Sequence, residues 1–79
     1  MSHEDLIRQG QILKKKNERS QLVIDAKSAL RSLINEAVYA QDKAVTEVNS
    51  SSLRAHLNRF VNAQAEIGRL EEEIRELEY

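Results

Sequence analysis

Residues 53–78 read LRAHLNRFVNAQAEIGRLEEEIRELE and contain the clearest periodicity in the chain. One series of side chains recurs every seven residues, and a second series follows three residues behind it. The first series is Leu53, Phe60, Ile67 and Ile74, and the second is His56, Ala63, Leu70 and Leu77. This spacing is typical of one helix of a coiled coil. It predicts a helix over about residues 53–78 that packs one stripe against another helix.

Four small polar residues, Asn49 to Ser52, precede this helix. They predict a turn, because their side chains compete for backbone hydrogen bonds. Upstream, apolar side chains recur at helical spacing, and no proline or glycine interrupts residues 11–48. We therefore expect a first helix over about residues 3–48. Its residues 14–20 hold no apolar side chain, so the helix either breaks near residues 17–20 or, as we favour, continues straight or gently bent.

Two helices joined by a turn predict an all-α fold, an antiparallel coiled-coil-like hairpin with a long first helix, in one domain over residues 1–79. The apolar surface of the first helix is wider than one partner helix can cover. A chain this short also buries only about 60% of its unfolded surface. We therefore expect self-association, most simply as a dimeric four-helix bundle. The candidate residues of the self-association core are Val23, Leu30, Leu33, Ala37, Ala44, Leu53, Phe60, Ile67, Leu70, Ile74 and Leu77.

The first helix is expected to outrun the second, which leaves residues 1–20 as an overhanging arm. An amphipathic arm without a partner in its own hairpin predicts contact with another protein. The candidate residues for that contact are Leu6, Ile7, Leu13, Lys14, Lys15, Lys16 and Arg19 in the arm, with Val38, Tyr39 and Val45 on a second stripe of the first helix.

The composition argues against several classes of protein. The absence of cysteine excludes disulfides and thiolate metal sites. No apolar run approaches the roughly 20 residues of a membrane span, so we expect a cytoplasmic protein without membrane contact. The net charge is −1, yet residues 1–31 hold seven Lys or Arg and four acids, whereas residues 32–79 hold five and nine. Opposite charges at the two ends favour antiparallel contact between them.

Catalysis and cofactor binding have little support. Ser50–Ser52 lie near His56, but no third group is placed to orient that base. The glutamates of residues 71–76 are typical of a solvated helix face, and a two-helix scaffold offers them no dry pocket. His3 and His56 are the only histidines and belong to no metal-ligand spacing. We expect no enzyme activity, no metal and no cofactor.

The leading hypothesis is a non-enzymatic helical protein-binding module, such as a small chaperone, adaptor or inhibitor, whose partner is a protein and a second copy of itself. The alternative is a small nucleic-acid-binding coiled coil that uses the basic segment Lys14–Lys16. Against it stand the sequence pI of about 6.1 and the lack of stacking aromatics in that segment.

The overall plan resembles that of several small hairpin proteins. They include type III secretion needle co-chaperones, phage tail and assembly chaperones, and short phage-encoded inhibitors of host proteins. The likeness is one of architecture and rests on no residue motif. It implies a role in binding or protecting another protein, in a phage or secretion setting.

Overall fold

A computed structural model of the protein describes residues 2–79. Within them the chain forms helix α1 (His3–Ala40), a short 3₁₀ helix (Val45–Glu47) and helix α2 (Ser50–Glu78), and it forms no strand. The two long helices pack against each other as a hairpin about 64 Å long and 14 Å across. The prediction of an all-α hairpin is confirmed.

Side chains cap the start of each long helix. The Ser2 hydroxyl accepts a hydrogen bond from the Asp5 backbone N–H at 3.3 Å, and the Asn49 side chain accepts one from the Ser52 N–H at 3.1 Å. Each bond satisfies a backbone donor that has no partner inside the helix. Because Asn49 is the cap, α2 begins at Ser50, slightly earlier than the sequence predicts.

Helix α1 ends at Ala40, whereas the sequence predicts an end near residue 48. The chain turns through hydrogen bonds from Asp42 N–H to Tyr39 O and from Lys43 N–H to Ala40 O, and Ala44 is extended. The β-branched Val45, Thr46 and Val48 that follow are weak helix formers. The connection therefore spans residues 41–49 instead of 49–52. The break considered near residues 17–20 does not occur, since α1 is helical throughout that segment.

The earlier turn shortens the overhang of the first helix. Helix α1 has 38 residues and α2 has 29, and the last turns of α2 lie beside Lys15 and Lys16. Only about the first nine residues of α1 extend past α2, which is about 14 Å of helix at 1.5 Å per residue. The arm is therefore half the length that the sequence predicts.

Each helix contributes one contact stripe to the hairpin, with spacings that alternate between three and four residues. All members of both stripes are buried or half-buried. The α1 stripe is Ile12, Lys15, Arg19, Leu22, Ala26, Ala29, Leu33, Glu36 and Ala40; the α2 stripe is Leu53, His56, Phe60, Ala63, Ile67, Leu70, Ile74 and Leu77. Within residues 2–79, the buried residues are Ala26, Ala29, Ala63, Leu70 and Ile74. Alanines in the middle layers allow the two backbones to approach closely, but they add little buried apolar area.

Leu70→Ala should destabilise the hairpin by about 2–4 kcal/mol, because Leu70 is only 1% exposed and its removal leaves a cavity against α1. The matched control is Leu13→Ala on α1, where the same side chain is 61% exposed and the loss should stay below about 1 kcal/mol. Urea unfolding followed by circular dichroism at one protein concentration measures both. Equal losses in the two variants would show that the α2 stripe does not face α1.

Candidate protein-interaction surface

The hairpin has two long flanks, one on each side of its contact stripes. On one flank the row Lys16, Val23, Leu30 and Ala37 of α1 runs beside the row Leu57, Gln64, Glu71 and Glu78 of α2. The ion pair between Lys16 Nζ and Glu78 Oε1, at 2.8 Å, joins these two rows and places them on the same side. The next position outward adds Ile34 from α1 and Val61 from α2.

We name this side the apolar flank, defined by Val23, Leu30, Ile34 and Ala37 of α1 with Leu57 and Val61 of α2. Its large side chains remain open to solvent: Ile34 is 55% exposed, Leu57 45% and Val61 47%. Ile24 and Val38 lie next to them on α1 and are also exposed. The two helices together therefore present one apolar surface in the half of the hairpin nearer the turn.

The opposite side is polar, and we name it the polar flank. Three open grooves follow it from the helix ends to the turn. They bring together Gln11, Glu18 and Glu73; then Asp25, Arg59 and Glu66; then Ser32, Tyr39 and Lys43. Apart from Tyr39, these residues are charged or amide- and hydroxyl-bearing side chains, and apolar residues such as Leu22 and Leu53 line the same grooves from the contact stripes. The contrast between the two flanks shows that the exposed apolar side chains are concentrated on one side of the hairpin.

A polar cluster fixes α2 against the end of α1 near the turn. The Glu36 carboxylate accepts a hydrogen bond from the Ser52 hydroxyl at 2.8 Å and lies 2.9 Å from His56 Nε2. Glu36 and His56 each keep about a quarter of their side-chain surface exposed, at 27% and 25%. The cluster has the composition of an acid–base pair, but the surrounding groove is open to solvent. The cluster joins the two helices and so constrains their register.

A second set of charges fixes the other end of the hairpin. Glu73 Oε2 lies 2.7 Å from Lys15 Nζ on α1, and Arg69 binds Glu73 and Glu66 at 2.7 Å within α2. The hydrogen bond from Lys15, helped by the charge of Arg69, holds the pKa of Glu73 below its ordinary value of 4.5 against the opposing effect of partial desolvation. The hydrogen bond and charge of Arg69 likewise lower the pKa of Glu66.

The residues predicted for the self-association core divide into two groups. Val23, Leu33, Leu53, Phe60, Ile67 and Leu77 are half-buried, and Leu70 and Ile74 are buried, by the packing of the chain's own two helices. Leu30 and Ala37 are exposed on the apolar flank, and Ala44 lies in the connection outside α1. Most of the predicted core is thus used within one chain, and Leu30 and Ala37 face outward with Val23 beside them.

The residues predicted for partner contact do not form one surface. Leu6, Ile7, Leu13 and Lys14 are exposed at the free end of α1. Lys15, Lys16 and Arg19 are half-buried, and Lys15 and Lys16 are ion-paired with Glu73 and Glu78. Val38 and Tyr39 are exposed near the end of α1, and Val45 is exposed in the 3₁₀ helix.

Two groups of residues were missing from the predicted sites. Leu57 and Val61 belong to the apolar flank; their spacing of four beside the α2 stripe was the available signal. Glu36 belongs to the turn cluster, and its signal was weaker, because only the pairing of the two helices brings it to His56. Within residues 2–79, no three carboxylate or imidazole groups lie close enough to hold a metal ion.

Over the described part of the chain, neither helix contains a segment long and apolar enough to cross a membrane. No protein-family model matches the chain, and the comparisons with curated proteins and with solved structures found no match. The interaction surface is therefore interpreted from its own geometry.

Glu73→Gln should flatten the acid dependence of stability. Because the folded-state pKa of Glu73 lies below 4.5, its contribution is fully present above that pH and is lost as the pH falls through the lowered value. Thermal unfolding between about pH 7 and about pH 3 should show the variant less stable than wild type at neutral pH and equal to it in acid. Glu76→Gln, at a carboxylate outside the ion pairs seen in residues 2–79, is the control. A wild-type slope in Glu73→Gln would contradict this role.

Proposed function

We propose that the protein is a non-enzymatic helical module that acts by binding protein chains, and that a second copy of itself is the first of these. The observation that supports this most directly is the apolar flank, with Leu30, Ile34, Leu57 and Val61 exposed side by side on two rigid helices. Contiguous apolar surface rimmed by polar groups is typical of a protein–protein contact.

The direction of the apolar flank suits a four-helix bundle. In such a bundle each helix packs against two neighbours, so it needs two apolar stripes on adjacent faces. Helix α1 has its contact stripe toward α2 and a second stripe of Val23, Leu30, Ile34 and Ala37 beside it. Helix α2 has the shorter second stripe of Leu57 and Val61 on the same side. Two hairpins that meet through this flank form a dimeric four-helix bundle.

Ile34→Lys should dissociate this dimer, because it places an unpaired charge in the contact between hairpins. Analytical ultracentrifugation of wild type should give twice the 9.1 kDa mass of one chain. The variant should show a dissociation constant at least about thirtyfold higher, which corresponds to about 2 kcal/mol. Both proteins should keep their helical circular dichroism.

The matched control is Asn35→Lys, which adds the same charge one residue later, where α1 points away from the apolar flank. It should leave the dimer intact. A wild-type protein that sediments as a monomer at high micromolar concentration would overturn the self-association proposal. Equal dissociation of the dimer in both lysine variants would show that the added charge weakens association wherever it is placed, and that the apolar flank is not the contact.

The free end of α1 is the proposed site for a different protein. Leu6 and Ile7 lie on the nine-residue extension beyond α2, and they are 54% and 49% exposed. An amphipathic helical segment of this kind binds an apolar groove of its partner through side chains spaced along one face. This mode fits a small chaperone, adaptor or inhibitor.

Replacing Leu6 and Ile7 together by serine should remove partner capture without changing the hairpin, because neither residue touches α2. Affinity capture from the native cell, quantified by mass spectrometry, measures the loss relative to wild type. The control replaces Gln9 and Gln11 by serine in the same segment. Capture of the same proteins in equal amounts by the Leu6/Ile7 variant would place the partner site elsewhere.

The nucleic-acid alternative loses support from the ion pairs. Lys15 and Lys16 are engaged with Glu73 and Glu78 at 2.7 Å and 2.8 Å. Among the ion pairs within residues 2–79, Lys14 is the member of that cluster without a partner, so it is the one available to a phosphate backbone. A phosphate contact would have to displace two carboxylates of the same chain.

A further inference from the structure

We infer that the second copy binds in one orientation, with the turns of both hairpins at the same end and with α1 of each copy packed on α2 of the other. This rests on the self-association proposed above and specifies its geometry. The opposite orientation, with the turns at opposite ends, would pack α1 on α1. The two orientations differ in which charges meet.

Charge is unequally divided between the outer faces of the two helices. The acids of α1, which are Glu4, Asp5, Glu18, Asp25 and Glu36, all lie on the contact stripe or the polar flank. The apolar flank and outer face of α1 carry Lys16, Lys27 and Arg31 and no acid, whereas Lys14 lines a groove of the polar flank. On α2, the apolar flank carries Glu71 and Glu78, with Arg54 and Arg75 in the row of Val61. The acids of the flank therefore belong to α2, whereas both helices contribute cations.

The alignment within one hairpin fixes the heights of these groups along the bundle. Lys15 lies beside Glu73, and Glu36 lies beside Ser52. These two contacts define which residues of α1 and α2 lie at the same height along the hairpin. Leu30 and Ile34 lie at the level of Leu57 and Val61. Lys16 lies near the level of Glu71. A twofold axis parallel to the helices leaves every height unchanged.

With this axis, a residue of α1 lies at the same height on the other copy's α2 as it does on the α2 of its own chain. Leu30 and Ile34 then cover Leu57 and Val61 of the other copy. Lys16, which is paired with Glu78 of its own chain, also approaches Glu71 of the other copy. In the opposite orientation, centred on the same apolar side chains, the Lys27 and Arg31 side chains of both copies come together on faces without an acid. Like charges repel there, whereas the first orientation brings opposite charges together.

Spin-label distances separate the two orientations, since the chain has no cysteine of its own. Thr46→Cys places one label in the connection, and Gln11→Cys places one on the polar flank near the open end. With the turns at the same end, the two labels should lie less than about 30 Å apart at both sites, because each hairpin is 14 Å across. In the opposite orientation the Gln11 labels, each about 21 residues from the centre of the apolar flank, lie roughly 60 Å apart, from 1.5 Å of helix rise per residue. The Thr46 labels lie close to that centre and stay below about 40 Å in either orientation, so they report association and not orientation.

The outcomes distinguish the two proposals. A dimer with a long distance between the Gln11 labels overturns the orientation and leaves self-association standing. A monomer, with no label–label distance, overturns self-association and the orientation with it. Short distances at both sites support both proposals.

A charge reversal gives a second measurement. Glu71→Lys should raise the dimer dissociation constant about tenfold at low salt and less at high salt, since the twofold axis repeats the lost contact. Glu76→Lys, which adds the same charge on the outer face of α2 away from the apolar flank, should have little effect. A salt-independent or equal effect in the two variants would contradict the pairing of Lys16 with Glu71 of the other copy.

Discussion

A pair of helices can bury only one stripe of each, and α1 has apolar side chains on more than one. This constraint governs the rest of the molecule. The contact with α2 uses Ala26, Ala29 and Leu33, and it leaves Leu30 and Ile34 facing solvent. Water meets apolar side chains on one flank and polar grooves on the other. The surplus apolar surface of α1 is the property from which the proposed function follows.

The choice of stripe on α1 depends on charged residues. Two candidate stripes, offset by one position, share Ala26, Leu33 and Ala40. The sequence favours the stripe completed by Val23, Leu30 and Ala37, which is wholly apolar, but the hairpin uses the one completed by Leu22, Ala29 and Glu36. Glu36 is acceptable in the contact because Ser52 and His56 bind its carboxylate. Pairing across the helices therefore offsets the cost of placing a carboxylate there.

This explains how far the sequence predicts the structure. The seven-residue spacing of α2 identifies the stripe that faces α1, because large side chains such as Leu70 and Ile74 occur at those positions and charges do not. The stripe of α1 is not readable from periodicity alone, since Glu36 gains its partners only in the folded hairpin. The end of α1 lacked a signal for a different reason. No proline or glycine marks it, and several weak helix formers after Ala40 act together with the cap at Asn49.

Because each hairpin buries little apolar surface by itself, folding and association are coupled in the proposed bundle. Within residues 2–79, three of the five buried residues are alanines, so the hairpin's own core contributes little apolar area. A short domain with such a core is marginally stable. A second copy that covers Leu30, Ile34, Leu57 and Val61 stabilises the folded state by mass action. Substitutions on the apolar flank then change stability and partner binding together. Substitutions on the polar flank leave the contact between hairpins unchanged. Comparing substitutions on the two flanks therefore distinguishes an effect on association from an effect of charge alone.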